Sequence, residues 1–211
     1  AEGEGGGGGG VGTGAGRPHP LRVVATPLGN LADLSDRAKD ALLSSDLVYC
    51  EDTRVSERLI AHIAAGPGAG AGPAEEAAEE EGEAAHGRLR PSPRLRSLHA
   101  HNEDFRVREV LESIESGLKV ALISDAGTPG ISDPGGRVVE ACHSASLPVT
   151  PIPGPSAVSS LLSVSGMPSK HIFLGFLPKS KGQRASRLKS GIRPGFTTVV
   201  FTPMRDLAGV L

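Results

Sequence analysis

Strand-like and helix-like segments alternate along this chain, and the alternation predicts an α/β fold built on a mainly parallel sheet. Two observations support that class. Apolar runs of strand length recur with enough chain between them for a crossover helix, which parallel strands require. Several of those runs end in turns rich in Gly, Pro, Asp and Ser, and no internal repeat of fixed period competes with this reading.

The elements follow in order. Residues 21–26 are a short apolar run closed by Thr26-Pro27-Leu28-Gly29-Asn30, a strand and its turn. Residues 33–43 place Leu34, Ala38, Ala41 and Leu42 at helical spacing. Residues 47–50 read as a second strand, 53–63 as a second helix, 94–99 as a third strand and 106–114 as the helix behind it. A fourth strand is expected at 119–124, a helix at 135–144, a strand at 148–152 and a helix at 156–164. Strands at 171–176 and 197–201 flank a helix around 184–189, and a new helix is expected after the last strand. Residues 1–20, almost all small and including the run Gly5 to Gly10, cannot bury enough apolar surface to offset their ordering entropy, so disorder is expected there. Residues 64–93 mix Gly, Ala and Pro with a cluster of Glu; they read as a loop insertion, which costs little closure entropy.

With 211 residues the chain has the size of one large domain or two small ones. Its 29 Gly and 17 Pro agree with some of that length being linker. The 3% aromatic content, without Trp, argues against a nucleic-acid binder built on aromatic platforms. Two cysteines, Cys50 and Cys142, build neither a disulfide framework nor a four-thiolate zinc site, and are expected as small buried hydrophobes. No apolar run approaches a membrane span and no secretory signal is evident, so a soluble protein of a reducing compartment is expected. From Lys170 onward there are eight Lys and Arg against one acid, Asp206, although the whole chain has net charge −2. That asymmetry suggests a local anion-binding surface, for nucleic acid or simply as a solvated face.

Three strand ends carry unusual turns: Thr26 to Asn30, the string Ser124-Asp125-Ala126-Gly127-Thr128-Pro129-Gly130-Ile131-Ser132-Asp133-Pro134-Gly135, and Ile152-Pro153-Gly154-Pro155-Ser156-Ala157. Open α/β sheets bind ligands beyond the carboxyl ends of their strands, so three such turns suggest one shared pocket. Gly lets backbone approach a ligand, and Pro fixes the loop in advance. Neither a Walker A loop nor a G-x-G-x-x-G after the first strand occurs, which disfavours a nucleotide held in the usual Rossmann manner. Two polar clusters end the second and third strands. Glu51-Asp52-Thr53-Arg54 can act on a substrate or simply cap the following helix, and His99, His101, Asn102 and Glu103 form the other. Both strands are expected beside the first strand, so that these side chains converge on the cleft.

These turns, together with Val24 to Leu31, Glu51 to Arg54, His99 with Asn102-Glu103, and Gly175-Phe176-Leu177-Pro178-Lys179, resemble the ribosomal-RNA-modifying branch of the tetrapyrrole methylase superfamily. The resemblance covers residues 21–211 apart from the insertion, and the string from Ser124 to Pro134 is too long and specific for chance. It implies a two-domain fold, with a first domain at 21–153 and a partial second domain at 154–211. It also implies a homodimer, S-adenosylmethionine in the interdomain cleft, and methylation of a cytidine ribose 2′-hydroxyl in small-subunit rRNA without a metal. On that basis the cofactor-binding candidates are Pro27, Asp125, Ala126, Gly127, Thr128, Pro129, Ser132, Gly154, Pro155, Ser156 and Ala157. The catalytic candidates on the acceptor side are Glu51, Asp52, Arg54, His99, Asn102 and Glu103, and Lys179, Lys181, Arg184 and Arg187 are the RNA-binding candidates. The compartment implied is the cytoplasm, with an organelle such as the chloroplast as the alternative. A tetrapyrrole or diphthine methylase of the same superfamily, and a non-catalytic RNA-binding remnant, are the alternatives in function. The Glu-Asp-Thr-Arg and His-x-x-Asn-Glu segments favour the rRNA enzyme.

Overall fold

A computed structural model describes residues 18–66 and 92–203. The expected disordered segment and the insertion fall mostly outside those residues, as does the helix expected after the last strand. The described ends of the insertion belong to its neighbours: Ala64 and Ala65 close a helix, and Ser92 and Pro93 lead into a strand.

Five parallel strands form the main sheet: β1 (Leu21–Val24), β2 (Leu47–Cys50), β3 (Arg94–Ser97), β4 (Val120–Leu122) and β5 (Val149–Ile152). Their spatial order is β3-β2-β4-β1-β5. The expectation that β2 and β3 lie beside β1 is therefore corrected, because β4 runs between β1 and β2 with Val23 paired to Leu122 and Tyr49 to Leu122. Four helices cover the two faces: α1 (Asp36–Leu43), α2 (Thr53–Ala65), α3 (Glu103–Glu115) and α4 (Gly136–Ser144).

Alternation along each strand divides the core. Val24, Val48, Cys50, Ala121 and Ile123 pack with Ala38, Leu42, Leu59, Ile60 and Ile63 of α1 and α2. Leu21, Leu47, Tyr49, Val120 and Leu122 pack with Val110, Ile114, Val138 and Cys142 of α3 and α4. A parallel sheet needs both faces covered, which is why β2 and β4 are continuous apolar runs. Both cysteines are buried and free, as expected. β3 is an edge strand, and its exposed Arg94 and Arg96 suit a strand with one unpaired side. Arg22, a charge inside β1, donates from Nη1 to Ser44 Oγ and from Nη2 to Ser45 Oγ, both at 2.8 Å. Those serines close α1, where the negative end of the helix dipole favours a cation.

Helix starts differ from the sequence reading where single polar side chains bond to nearby backbone. A short 3₁₀ turn at Leu31–Asp33, capped by Asn30, precedes Ser35, whose Oγ accepts from Ala38 N and starts α1 at Asp36. α3 begins at Glu103, three residues before the expected start, because Asn102 folds back onto the end of β3.

Beyond β5 come α5 (Ala157–Ser165), β6 (His171–Phe176), α6 (Lys181–Gly191) and β7 (Thr197–Phe201). β6 and β7 pair in parallel as a separate two-stranded sheet, with an irregularity between Phe173 and Phe176. The Phe201 ring meets Phe173 and Phe176 edge-on at 4.9 and 5.4 Å. Among the described residues no helix is long and apolar enough to cross a membrane.

Candidate active site

The order β3-β2-β4-β1-β5 contains a reversal. β1 and β2 lead into α1 and α2 on one face, whereas β3 and β4 lead into α3 and α4 on the other. Connections leave in opposite directions from the neighbours β1 and β4, which opens a crevice at their carboxyl ends.

The turns after β1 and β4 are joined across that crevice. Thr26 N donates to Gly127 O at 2.9 Å and Gly127 N to Thr26 O at 3.1 Å, while Thr26 Oγ1 donates to Ser124 O at 3.0 Å. The third turn is tied in by Thr128 Oγ1, which donates to Pro155 O at 3.0 Å. Gly127 has φ +86°, and a Cβ there would lie 3.2 Å from Leu28 Cδ2. A Cβ on Gly154 would lie 2.9 Å from Ala25 Cβ, so the third turn approaches β1 as only glycine allows. Ser132 holds φ +70°, an uncommon conformation for a residue with a side chain and one that a functional turn can stabilise.

Together these turns wall a cleft of about 290 Å³, at the lower limit of small-molecule sites. Six of the cofactor candidates, Asp125, Ala126, Gly127, Thr128, Ser156 and Ala157, line it. Pro27 lines an adjoining groove instead. Pro129, Ser132, Gly154 and Pro155 belong to the same turns without lining the cleft. Phe176 at the end of β6 and Phe201 at the end of β7 also line it, and with Leu28, Ile131 and Val158 they make part of the lining apolar. Sequence reasoning did not single out these apolar residues or Asp133 as site residues, although Leu28, Ile131, Asp133 and Phe176 all lie in the quoted motifs. α5 starts at this cleft, and Ser156 makes no side-chain capping bond, so its first N–H groups remain available.

The acceptor-side candidates separate into two groups. Glu51 lines the cleft with Asp125 and Asp133. Its carboxyl is pushed above the ordinary range by partial burial, then by Asp125 and Asp133, with His99 opposing. Asp133 is also raised, first by burial. His99 Nδ1 is buried without a hydrogen-bond partner among the described residues. The others hold structure. Asp52 caps α2 through Oδ1, which accepts from Arg54 N at 2.9 Å, and it pairs with the Arg54 guanidinium at 2.8 Å. The Arg54 hydrogen bonds bring the Asp52 carboxyl down to about 2. Asn102 Oδ1 accepts from His99 N at 2.8 Å and its Nδ2 donates to Ser97 O at 3.2 Å, which fixes the turn carrying His99. Glu103 Oε1 accepts from Gly135 N and Arg137 N, both at 2.9 Å, and so caps α4 from a different helix.

Removing that cap has a defined consequence. Glu103→Ala leaves two amide donors at a helix start without their carboxylate, a loss of about 1–2 kcal/mol. Thermal denaturation should show the destabilisation while ligand affinity at the cleft stays unchanged; full stability would mean that water replaces the carboxylate at no cost.

The basic candidates are outside the cleft lining. Lys179 follows β6, and Lys181, Arg184 and Arg187 belong to α6. Lys179, Lys181 and Arg187 are exposed, and Arg187 also donates to Leu174 O at 3.3 Å.

Residues 20–211 match the family model for Tetrapyrrole (Corrin/Porphyrin) Methylases. A Xylella fastidiosa protein named ribosomal RNA small subunit methyltransferase I is 43% identical over 172 residues, 81% of this chain and 54% of that protein. The Vibrio cholerae protein of the same name is 39% identical over 169 residues, 80% of this chain and 50% of that protein. The chain thus spans about half the length of these curated relatives. Among solved structures, uroporphyrin-III-C-methyltransferase from Thermus thermophilus shares the fold, with TM-score 0.50 and 16% identity over 83% of this chain and 75% of that one. The glycine-rich crevice, its switch-point topology and the match across almost the whole chain agree: this protein belongs to the tetrapyrrole methylase family.

Proposed function

We propose that this chain carries the donor-binding part of an S-adenosylmethionine-dependent methyltransferase acting on the 2′-hydroxyl of a cytidine ribose in small-subunit rRNA. The likeness to relatives named for methylation of small-subunit rRNA is the observation that carries the reading. In this reading residues 21–153 are the first domain and 154–211 the beginning of the second, and the working form is a homodimer. The bacterial relatives favour the cytoplasm as its compartment, or an organelle that uses bacterial-type ribosomes.

The cleft suits the donor. Gly127 leaves a backbone cradle that a Cβ would obstruct, the uncapped start of α5 offers N–H groups to a carboxylate, and Leu28, Ile131, Val158, Phe176 and Phe201 give an apolar wall for a nucleoside. Bound there, S-adenosylmethionine supplies an electrophilic methyl group. The protein's share is to orient the acceptor and receive its proton. Glu51 is the best placed acceptor of that proton, since its burial and its acidic neighbours make it more basic than an ordinary carboxylate. Asp52 and Glu103, bound to helix starts, hold the segments that carry the reacting groups.

Incubating the full-length protein with S-adenosylmethionine and unmodified small ribosomal subunits, followed by nucleoside mass spectrometry, should yield 2′-O-methylcytidine. A methyl group on a base or on a tetrapyrrole, or none at all, would replace this reading. The basic segment gives a second expectation. Neutralising Lys179, Lys181, Arg184 and Arg187 should lower RNA affinity and flatten its salt dependence by about one counterion per lost phosphate contact. An unaltered slope would place this segment away from RNA.

A further inference from the structure

We propose that the groove beside the donor cleft, between the turn after β1 and the first turns of α2, receives the acceptor nucleotide of the RNA. This rests on the function proposed above and gives its substrate a place.

The groove has a volume of about 420 Å³, within the range of small-molecule sites. It adjoins the donor cleft, because Leu28, Asp125 and Ala126 line both. Its own lining differs in chemistry from that of the cleft. Leu31 and Val55 stand at its edge with 45% and 41% of their surface exposed, next to the half-open Leu28. Apolar side chains left in solvent beside a polar cleft suit a flat ring that will cover them.

A cation accompanies this surface. Arg58 lines the groove, and Arg54, one turn earlier on the same face of α2, is 84% exposed at the helix start. Glu57, the acid between them, lines a different cavity, beside β3. An apolar floor with a guanidinium at its rim matches a nucleotide, the base covering Leu31 and Val55 and a phosphate meeting Arg58. The one carboxylate in the lining is Asp125, on the wall shared with the donor cleft. Its Oδ1 accepts from Asp52 N at 3.0 Å, which holds the carboxylate at the boundary where a ribose hydroxyl would meet the donor. The donor itself fits the other cavity, since the groove has neither the Gly127 cradle nor the start of α5.

The test uses the full-length protein, S-adenosylmethionine, and a synthetic small-subunit rRNA hairpin with a loop cytidine. Val55→Trp should fill the groove from its open side, and Arg58→Ala should remove the cation without adding bulk. Donor affinity by calorimetry should match the unaltered protein in both variants. Hairpin affinity should fall roughly tenfold or more in Val55→Trp, as expected when a fitted pocket loses its space. In Arg58→Ala the salt slope of hairpin binding should drop by about one. If the unaltered protein binds both ligands and both variants bind the hairpin equally well, the groove assignment is overturned while the function stands. If the unaltered protein binds neither ligand, the function fails and the groove assignment fails with it.

Discussion

Gly127→Val should abolish donor binding in a protein that still folds. The glycine sits at φ +86°, where a β-branched residue is strained, at a cost of about 1–2 kcal/mol. Its backbone cannot relax away, because reciprocal hydrogen bonds at 2.9 and 3.1 Å clamp it to Thr26. The added side chain would start 3.2 Å from Leu28 Cδ2, in the wall between donor cleft and groove. The side chain fills the space that glycine leaves for a ligand against the backbone, so calorimetry should find no donor binding. Circular dichroism should report a folded protein with a lower melting temperature. A folded variant with unchanged affinity would mean that the donor does not contact this turn.

Glu51→Gln should lower turnover by about 10²–10⁴-fold with donor affinity preserved, the signature of a lost proton acceptor. The same substitution should change stability in a pH-dependent way. The Glu51 carboxyl is raised by burial and by Asp125 and Asp133, so the folded protein holds its proton more tightly than the unfolded chain does. Its favourable contribution is complete below the ordinary carboxylate range and is lost as pH rises through the raised value. Glu51→Gln should therefore melt higher than the unaltered protein at neutral pH and alike at acid pH. A pH-independent difference, or unchanged turnover, would remove Glu51 from the chemistry. His99→Ala at neutral pH separates the two candidates, since only a residue that meets the acceptor should lower turnover without affecting the donor.

Much of the fold is legible in the sequence. The α/β class followed from alternation, because continuous apolar runs such as Leu47 to Cys50 suit only a sheet covered on both faces. The long turn after β4 was legible because Gly, Pro, Asp and Ser dominate turns, and three such turns at strand ends point to one shared pocket. Helix starts were less so. They depend on single side chains: Ser35 sets α1 at Asp36, and Asn102, by turning back to Ser97, lets α3 begin at Glu103.

The chain's own order of residues determined which segments become strands, that their ends carry the site, and which family the protein joins. Only the tertiary structure decided that β4 separates β1 from β2, that Glu103 caps α4, and that Phe176 and Phe201 line the cleft. The physical reason is range. Periodicity and turn chemistry are local and act within a few residues, so one sequence suffices to read them. Strand order, a carboxylate that reaches a helix 32 positions away, and a wall brought from a second sheet depend on packing between distant segments. Their pairing leaves no local pattern, and many arrangements of the same elements would satisfy the local rules equally well.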